Sequence, residues 1–400
     1  MALQRWERTY WVVFAANLVT AVGMMSFLPF FPSLMEELGV QERGAIAAWS
    51  GVVFGAAPFT AALMGPVWGS IGDRIGRKLM VLRALLAISL FVGAMGFARS
   101  PWELLLLRIG QGIFAGFVPP SITLVSIAAP RAVQGRITGS LQASLWVGSI
   151  AGPLLGAFVR DAWGLRAVFF LVAALSGLGA FLIGLFAHEE EGLRATLEAW
   201  SPGALLGDVV RDLKELLRLP RVRTAVVLLF LLQFGVGSTN PLLEIFVGDV
   251  WTGDPRAVPG LTAWLFTAFA GAGLVASPLW GRWGDRVGHH QALLLATALA
   301  GLALLGHAAA ATFAVLLAAR IGIGVTAGGA NACSFGLAAT STSAERRGSG
   351  FGAVFSARAL ALSLGAMSGG ALSSLLGIPG LFLAAGVVVL GAILGLRPWR

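Results

Sequence analysis

The chain has 400 residues, 57% of them hydrophobic and only 12% charged, with 54 glycines and 13 tryptophans. Its mean hydropathy of +0.84 excludes a water-soluble globular protein, which could neither bury that much apolar surface nor stay dissolved with so little charge. The net charge of +9 would suit a nucleic-acid binder, but the placement of the charges gives it another meaning.

A membrane-spanning helix needs about 20 mostly apolar residues. Runs of that kind predict spans over residues 10–34, 48–70, 79–98, 102–124, 138–159, 165–187, 222–247, 259–281, 291–308, 313–336, 350–374 and 377–396. Strict apolar–polar alternation is absent, which argues against a membrane β-barrel. The first run is too long for the core of a cleavable signal and reads as span one. Arg43, Arg99, Arg160, Arg166 and Arg256 fall in one set of loops, and Arg108, Arg320 and Arg358 lie within spans. The remaining Lys and Arg go to the termini and to the loops after spans two, four, six, eight and ten. This bias places both termini in the cytoplasm and leaves no nucleic-acid footprint. Cys333, the single cysteine, lies inside a span, so no internal disulfide is expected.

Residues 188–221 form the one long polar stretch. Ser201 can N-cap a helix with Pro202 at its first position, and Leu205, Leu206, Val209, Leu213, Leu216 and Leu217 then share one stripe. The expected organisation is a six-helix half over 1–187, a cytoplasmic linker with an amphipathic helix over 188–221, and a second six-helix half over 222–400.

The halves repeat. Gly69, Asp73 and Gly76 in GPVWGSIGDRIGRK recur at one constant separation as Gly281, Asp285 and Gly288 in SPLWGRWGDRVGHH. Arg108 and Arg320 follow the same spacing, as do Ser26-x-x-Pro29 and Ser238-x-x-Pro241. Beyond the next loop the separation grows by one residue, as between Gly152 and Gly365. Paired halves are a plan used by transporters that alternate access to a site between them.

These residues carry a resemblance. Gly69-x-x-x-Asp73-Arg74-x-Gly76-Arg77-Lys78 resembles the signature loop of the major facilitator superfamily. Arg108-x-x-Gln111-Gly112 is similar to its fourth-span motif, and Gly148-x-x-x-Gly152-Pro153-x-x-Gly156 to the motif of its antiporters. WSGVVF at 49–54 and GFVPPS at 116–121 resemble the bacterial 12-span drug:proton antiporters. The resemblance implies an all-α integral membrane fold of twelve helices in two pseudo-symmetric halves, in the bacterial cytoplasmic membrane. It also implies export of hydrophobic or amphipathic small molecules in exchange for protons, by a monomer that needs no cofactor beyond the proton gradient.

The residues themselves suggest roles. Gly69, Gly72 and Gly76 allow a sharp turn between two spans, while Arg74, Arg77 and Lys78 meet the anionic inner leaflet. Asp73 can accept from backbone N–H groups at a helix start or pair with an arginine. The resemblance implies that it latches the halves on the cytoplasmic side, against span eleven or Arg136, with Asp285 as its second copy. An arginine within a span costs at least ~2.5–3.5 kcal/mol. Arg108 either snorkels outward or, as the resemblance implies, faces a central cavity beside Gln111. Arg320 has Ile323 where Arg108 has Gln111, and Arg358 is a third intramembrane cation. Glu244 is the one acid left within a span, either an interfacial acid or a proton carrier. The span-one acid of related exporters is replaced by Asn17, Ser26 and Pro29. Gly148, Gly152 and Gly156 make a smooth helix face, and Pro153 can kink it. Phe54, Phe114, Trp146, Phe234, Phe266 and Phe335, with Gln111, Gln142, Gln233 and Asn240, are expected to line a pocket suited to apolar compounds.

Other classes fit less well. The only lysines, Lys78 and Lys214, follow Arg77 and Leu213, so no phosphate-binding Gly-Lys-Ser/Thr loop exists. There is no nucleophile elbow, and the four histidines suggest no metal set. An enzyme is not expected. A proton-coupled carrier of a polar metabolite or sugar, and a non-transporting receptor or scaffold, remain as alternatives.

Overall fold

The computed structural model describes residues 5–130, 133–189, 218–341 and 347–396, and these are helical almost throughout. Among the described residues eleven helical runs are long and apolar enough to cross a membrane. The last, Ser356–Gly395, breaks at Gly377 (φ 70°, ψ 164°) and so makes two passes, spans eleven and twelve. Several helices overrun their apolar stretch: span two is Arg43–Ile75, span five Gln134–Trp163 and span eight Val258–Val287. Hydrophobicity marks where a helix meets lipid, whereas backbone hydrogen bonding carries it on into water.

Proline sets the interruptions, because its ring removes one backbone donor and crowds the preceding turn. Span one runs as Arg5–Ser26, a 3-10 turn at Leu28–Phe30 that contains Pro29, and Phe31–Glu37. Span seven repeats this as Pro220–Thr239, Asn240–Leu242 around Pro241, and Leu243–Val250. Span four, expected as one helix over 102–124, is instead Pro101–Phe114 and Val118–Ala128. Gly116 at φ 110° makes that break, and Pro119 and Pro120 start the second piece. Span ten, Phe313–Ser341, has no such prolines and is continuous. The turns repeat as well. Gly76 (φ 113°) and Gly288 (φ 95°) open spans three and nine, and Gly164 (φ 86°) and Gly377 (φ 70°) open spans six and twelve. This left-handed conformation is cheap only for glycine.

The chain divides into two compact units, Met1–Leu28 with Thr60–Leu206 and Pro29–Phe59 with Gly207–Arg400. In the first, span five packs on span one through its glycines. A Cβ at Gly152 would sit 2.6 Å from the Val22 carbonyl oxygen, and one at Gly156 would overlap the Ser26 carbonyl. Span six, Leu165–Phe186, closes on span one where Phe27 meets Phe169 (5.4 Å). Asn17 donates to the Ser121 hydroxyl in span four (3.1 Å).

In the second unit the glycine contact recurs: a Cβ at Gly365 would overlap the Phe234 carbonyl, and one at Gly369 the Ser238 carbonyl. These are the counterparts of Val22 and Ser26. Span two also seats Gly51 and Gly55 on the Ala366 and Ser363 carbonyls of span eleven, and Gly370 fits against Ala47 and Ala48 in return. The linker helix expected over 201–218 falls almost wholly on residues 190–217, outside those described.

Overpacking at such a contact costs about 1–3 kcal/mol. Gly156→Val is therefore expected to lower the unfolding temperature of the detergent-purified protein clearly. Gly391→Ala, where a Cβ meets nothing within 4 Å, should leave that temperature unchanged or slightly raised.

Candidate functional site

Each unit holds a buried arginine, and the two are satisfied differently. Arg108 is 1% exposed, which rules out snorkelling in this structure. It lies on the first piece of span four, where a three-residue step brings Gln111 onto the same face, and its Nη1 donates to Gln111 Oε1 at 2.7 Å. The Phe27 ring covers the guanidinium at 5.5 Å, and Gln111 Nε2 reaches the Met24 sulfur at 3.4 Å. A cation paired with an amide and a ring is the compensation that a charge in a dry interior requires.

Arg320 is wholly buried, and Ile323 gives it no amide on its own helix. The amide comes from span seven, where Asn240 Oδ1 accepts from Arg320 Nη2 at 2.6 Å. The 3-10 turn at Asn240–Leu242 presents that side chain, so the proline signal and the buried cation belong to one feature. Phe266 and Phe269 of span eight lie under the guanidinium at 5.5 and 4.7 Å. Arg358 is partly buried in span eleven.

Glu244 is 5% exposed. Its carboxylate accepts from the Ser33 backbone N–H at 3.0 Å and from the Ser33 hydroxyl at 2.5 Å, and Arg43 pairs with Asp249 nearby in sequence. All four residues belong to the second unit and join the C-terminal end of span one and the N-terminal end of span two to span seven. Ser33 carries no sequence signal of its own, because its partner lies in the other sequence half.

The side chains of Asp73, Arg74 and Arg136 lie outside the described residues, and Gly69 faces open space. The start of span three is nevertheless capped by a carboxylate, that of Glu189. It accepts from the Arg77 backbone N–H at 2.6 Å and the Lys78 N–H at 3.2 Å, where the helix dipole favours negative charge. Lys78 Nζ then reaches the Gly184 carbonyl at 3.0 Å. In the second hinge Asp285 instead meets His289 Nε2 at 3.2 Å, with the imidazole lying against Gly284 and Gly336. Arg83, counted from sequence with the cytoplasmic loops, is inside span three, its guanidinium 3.6 Å from the Trp68 ring. Trp68 is held by its indole N–H on the Ile113 carbonyl at 2.6 Å.

Gly148 and Gly152 press against span one, as Gly156 does, and Pro153 sits inside the span-five helix without ending it. The expected pocket residues fall into different settings. Phe54 is buried against Phe31 (6.1 Å), and Phe114 is 40% exposed, stacked on Phe91 at 6.0 Å. Gln142 is exposed and Trp146 half-buried, whereas Gln233 is buried. Phe234 stacks on Phe230 at 6.3 Å, and Phe335 packs against the second unit's core. Of the expected pocket residues, Asn240 and Phe266 come together around Arg320, while Gln111 serves Arg108. Among the described residues no three His, Cys, Asp or Glu side chains are placed to hold a metal.

A model of the Major Facilitator Superfamily matches the chain twice, over residues 13–250 and 226–399. The chain is 32% identical over 302 residues to the multidrug resistance protein MdtG of Klebsiella pneumoniae (strain 342), covering 75% of this chain and 71% of that one. It is 29% identical over 331 residues to MdtG of Proteus mirabilis (strain HI4320), covering 80% and 77%. Its fold is similar to that of the human organic anion transporter MFSD10, with a TM-score of 0.73, 18% identity, and 98% and 100% of the two chains covered. It is also similar to an inward-facing, unoccupied bacterial homologue of the human lysosomal transporter Spinster (TM-score 0.74, 15% identity, 100% and 96% covered).

Loss of a helix cap costs about 0.5–2 kcal/mol. Glu189→Ala should destabilise the protein by that amount and speed amide hydrogen exchange at Arg77 and Lys78, read by mass spectrometry.

Proposed function

This chain belongs to the major facilitator superfamily, and from that premise we propose that it exports hydrophobic or amphipathic small molecules in exchange for protons. The single observation that supports export most is the contact of span five on span one. Gly148, Gly152 and Gly156 seat the helix on backbone carbonyls around Pro153, as in the motif associated with antiporters. The names of the MdtG relatives point the same way.

Alternating access is the mechanism. Each half moves as a body because glycine contacts fix span five to span one and span eleven to span seven. The outer side opens when the ends of spans one and two leave spans seven and eleven. That step breaks the Ser33–Glu244 bonds and the Arg43–Asp249 pair. Glu244 is then the group in the proposal that takes a proton from the outer side, since protonation turns one of its two accepting oxygens into an O–H donor and so weakens its hold on Ser33. Asp73 latches the cytoplasmic side, Asp285 does the same in the second copy, and Arg108 sets the field within the first half. Both termini are cytoplasmic, the working unit is a monomer, and the proton gradient supplies the energy.

Uptake of a fluorescent cationic dye into inverted vesicles tests this. With an acidic lumen, the wild-type protein should accumulate dye, a protonophore should abolish accumulation, and Asp73→Asn should transport little. Gradient-independent dye distribution by correctly inserted protein contradicts proton-coupled export and favours a polar-metabolite carrier.

A further inference from the structure

The two buried arginines occupy repeat-related positions, yet only one is fully engaged. Arg108 leaves no buried nitrogen without a partner, whereas Arg320 leaves two, Nε and Nη1, at 0% exposure. Its third nitrogen, Nη2, is fixed by Asn240, and the faces of Phe266 and Phe269 cover the guanidinium. No carboxylate pairs with Arg320 among the described residues. The charge of Arg320 also bears on His307 of span nine, whose Nε2 is buried and unpartnered while its ring stacks on Phe382 at 4.8 Å. Aromatic faces compensate part of a buried charge, but they leave N–H donors unmet, and buried donors of a charged group are costly to leave so.

We propose that Arg320, oriented by Asn240 and set on Phe266 and Phe269, is a subsite for the anionic group of an amphipathic substrate, a carboxylate, sulfonate or phosphonate on an apolar body. The proposal rests on the reading of the chain as an exporter of amphipathic compounds and adds anionic members to its substrate class. An oxyanion would take the Nε and Nη1 protons as charge-assisted hydrogen bonds, the strong kind that arginine offers. The rings beside it would receive the apolar body. The subsite is sealed in this structure, so the ligand reaches it only when the helices around it part. The first half has no equivalent, because Gln111 and the other partners of Arg108 already occupy its nitrogens.

Isothermal titration calorimetry of the full-length protein in phosphatidylcholine nanodiscs, with 2-naphthoate and its neutral isostere 2-naphthamide, tests this directly. The wild type should bind the carboxylate about ten- to hundredfold more tightly than the amide. Arg320→Gln should abolish that difference between the two ligands. The wild-type comparison stands even if the variant does not fold. Equal affinities in the wild type, or a preference for naphthoate that survives Arg320→Gln, would overturn the subsite and leave the export reading intact. If neither ligand binds, the subsite is overturned as well, and dye uptake into vesicles then decides separately whether export stands.

Discussion

Helices surrounded by lipid gain little from hiding apolar side chains against one another, so they cohere by close backbone approach. In this chain that approach is made twice, by the same residues in each repeat. Gly152 and Gly156 meet the carbonyls of Val22 and Ser26, and Gly365 and Gly369 meet those of Phe234 and Ser238. Everything else depends on this contact. It fixes the axis of spans one and seven, and so the positions of the proline-broken ends that carry Ser33, Asn240 and Glu244. A side chain at any of these glycines would push the two helices apart.

The repeats are alike in backbone and differ in chemistry. Glycines with positive φ open spans three and nine, and spans six and twelve, at matching places. Yet span four is broken at Gly116 while span ten is continuous, and Arg108 binds its own helix where Arg320 binds Asn240 of span seven. The hinge loops diverge too, since Glu189 caps span three but Asp285 leans on His289. Two copies can share a backbone geometry yet carry different buried polar groups, because that geometry resides in glycine and proline. An exporter that must hold varied apolar bodies and still orient them has a use for that division.

The fold was legible in the sequence because lipid imposes a simple rule on length and hydropathy, and because glycine and proline mark turns. The Gly76 and Gly288 turns follow from those residues alone, whereas spans one and seven, expected as single helices, are broken at Pro29 and Pro241. Helix ends were less legible, since apolar runs stop at the membrane surface and helices do not. The site was legible in part. Arg108 with Gln111 follows from a three-residue spacing on one helix. Arg320 with Asn240, Glu244 with Ser33 and Glu189 with the start of span three are long-range pairs, and neither local spacing nor residue type signals them. Arg83 was misplaced for a related reason: an arginine near the end of a span reads as a loop cation until a ring such as Trp68 is found beneath it.

The central claim is that the outer ends of spans one and two separate from spans seven and eleven in every cycle while span five stays seated on span one and span eleven on span seven. Arg43→Cys with Asp249→Cys, in a Cys333→Ser background, places two thiols at the exposed rim of that junction. Bridging them with a short reducible bis-thiosulfonate and measuring gradient-driven uptake in vesicles tests the claim most directly. The account predicts that uptake stops when the bridge forms and returns when it is reduced. Full transport by completely bridged protein would contradict it.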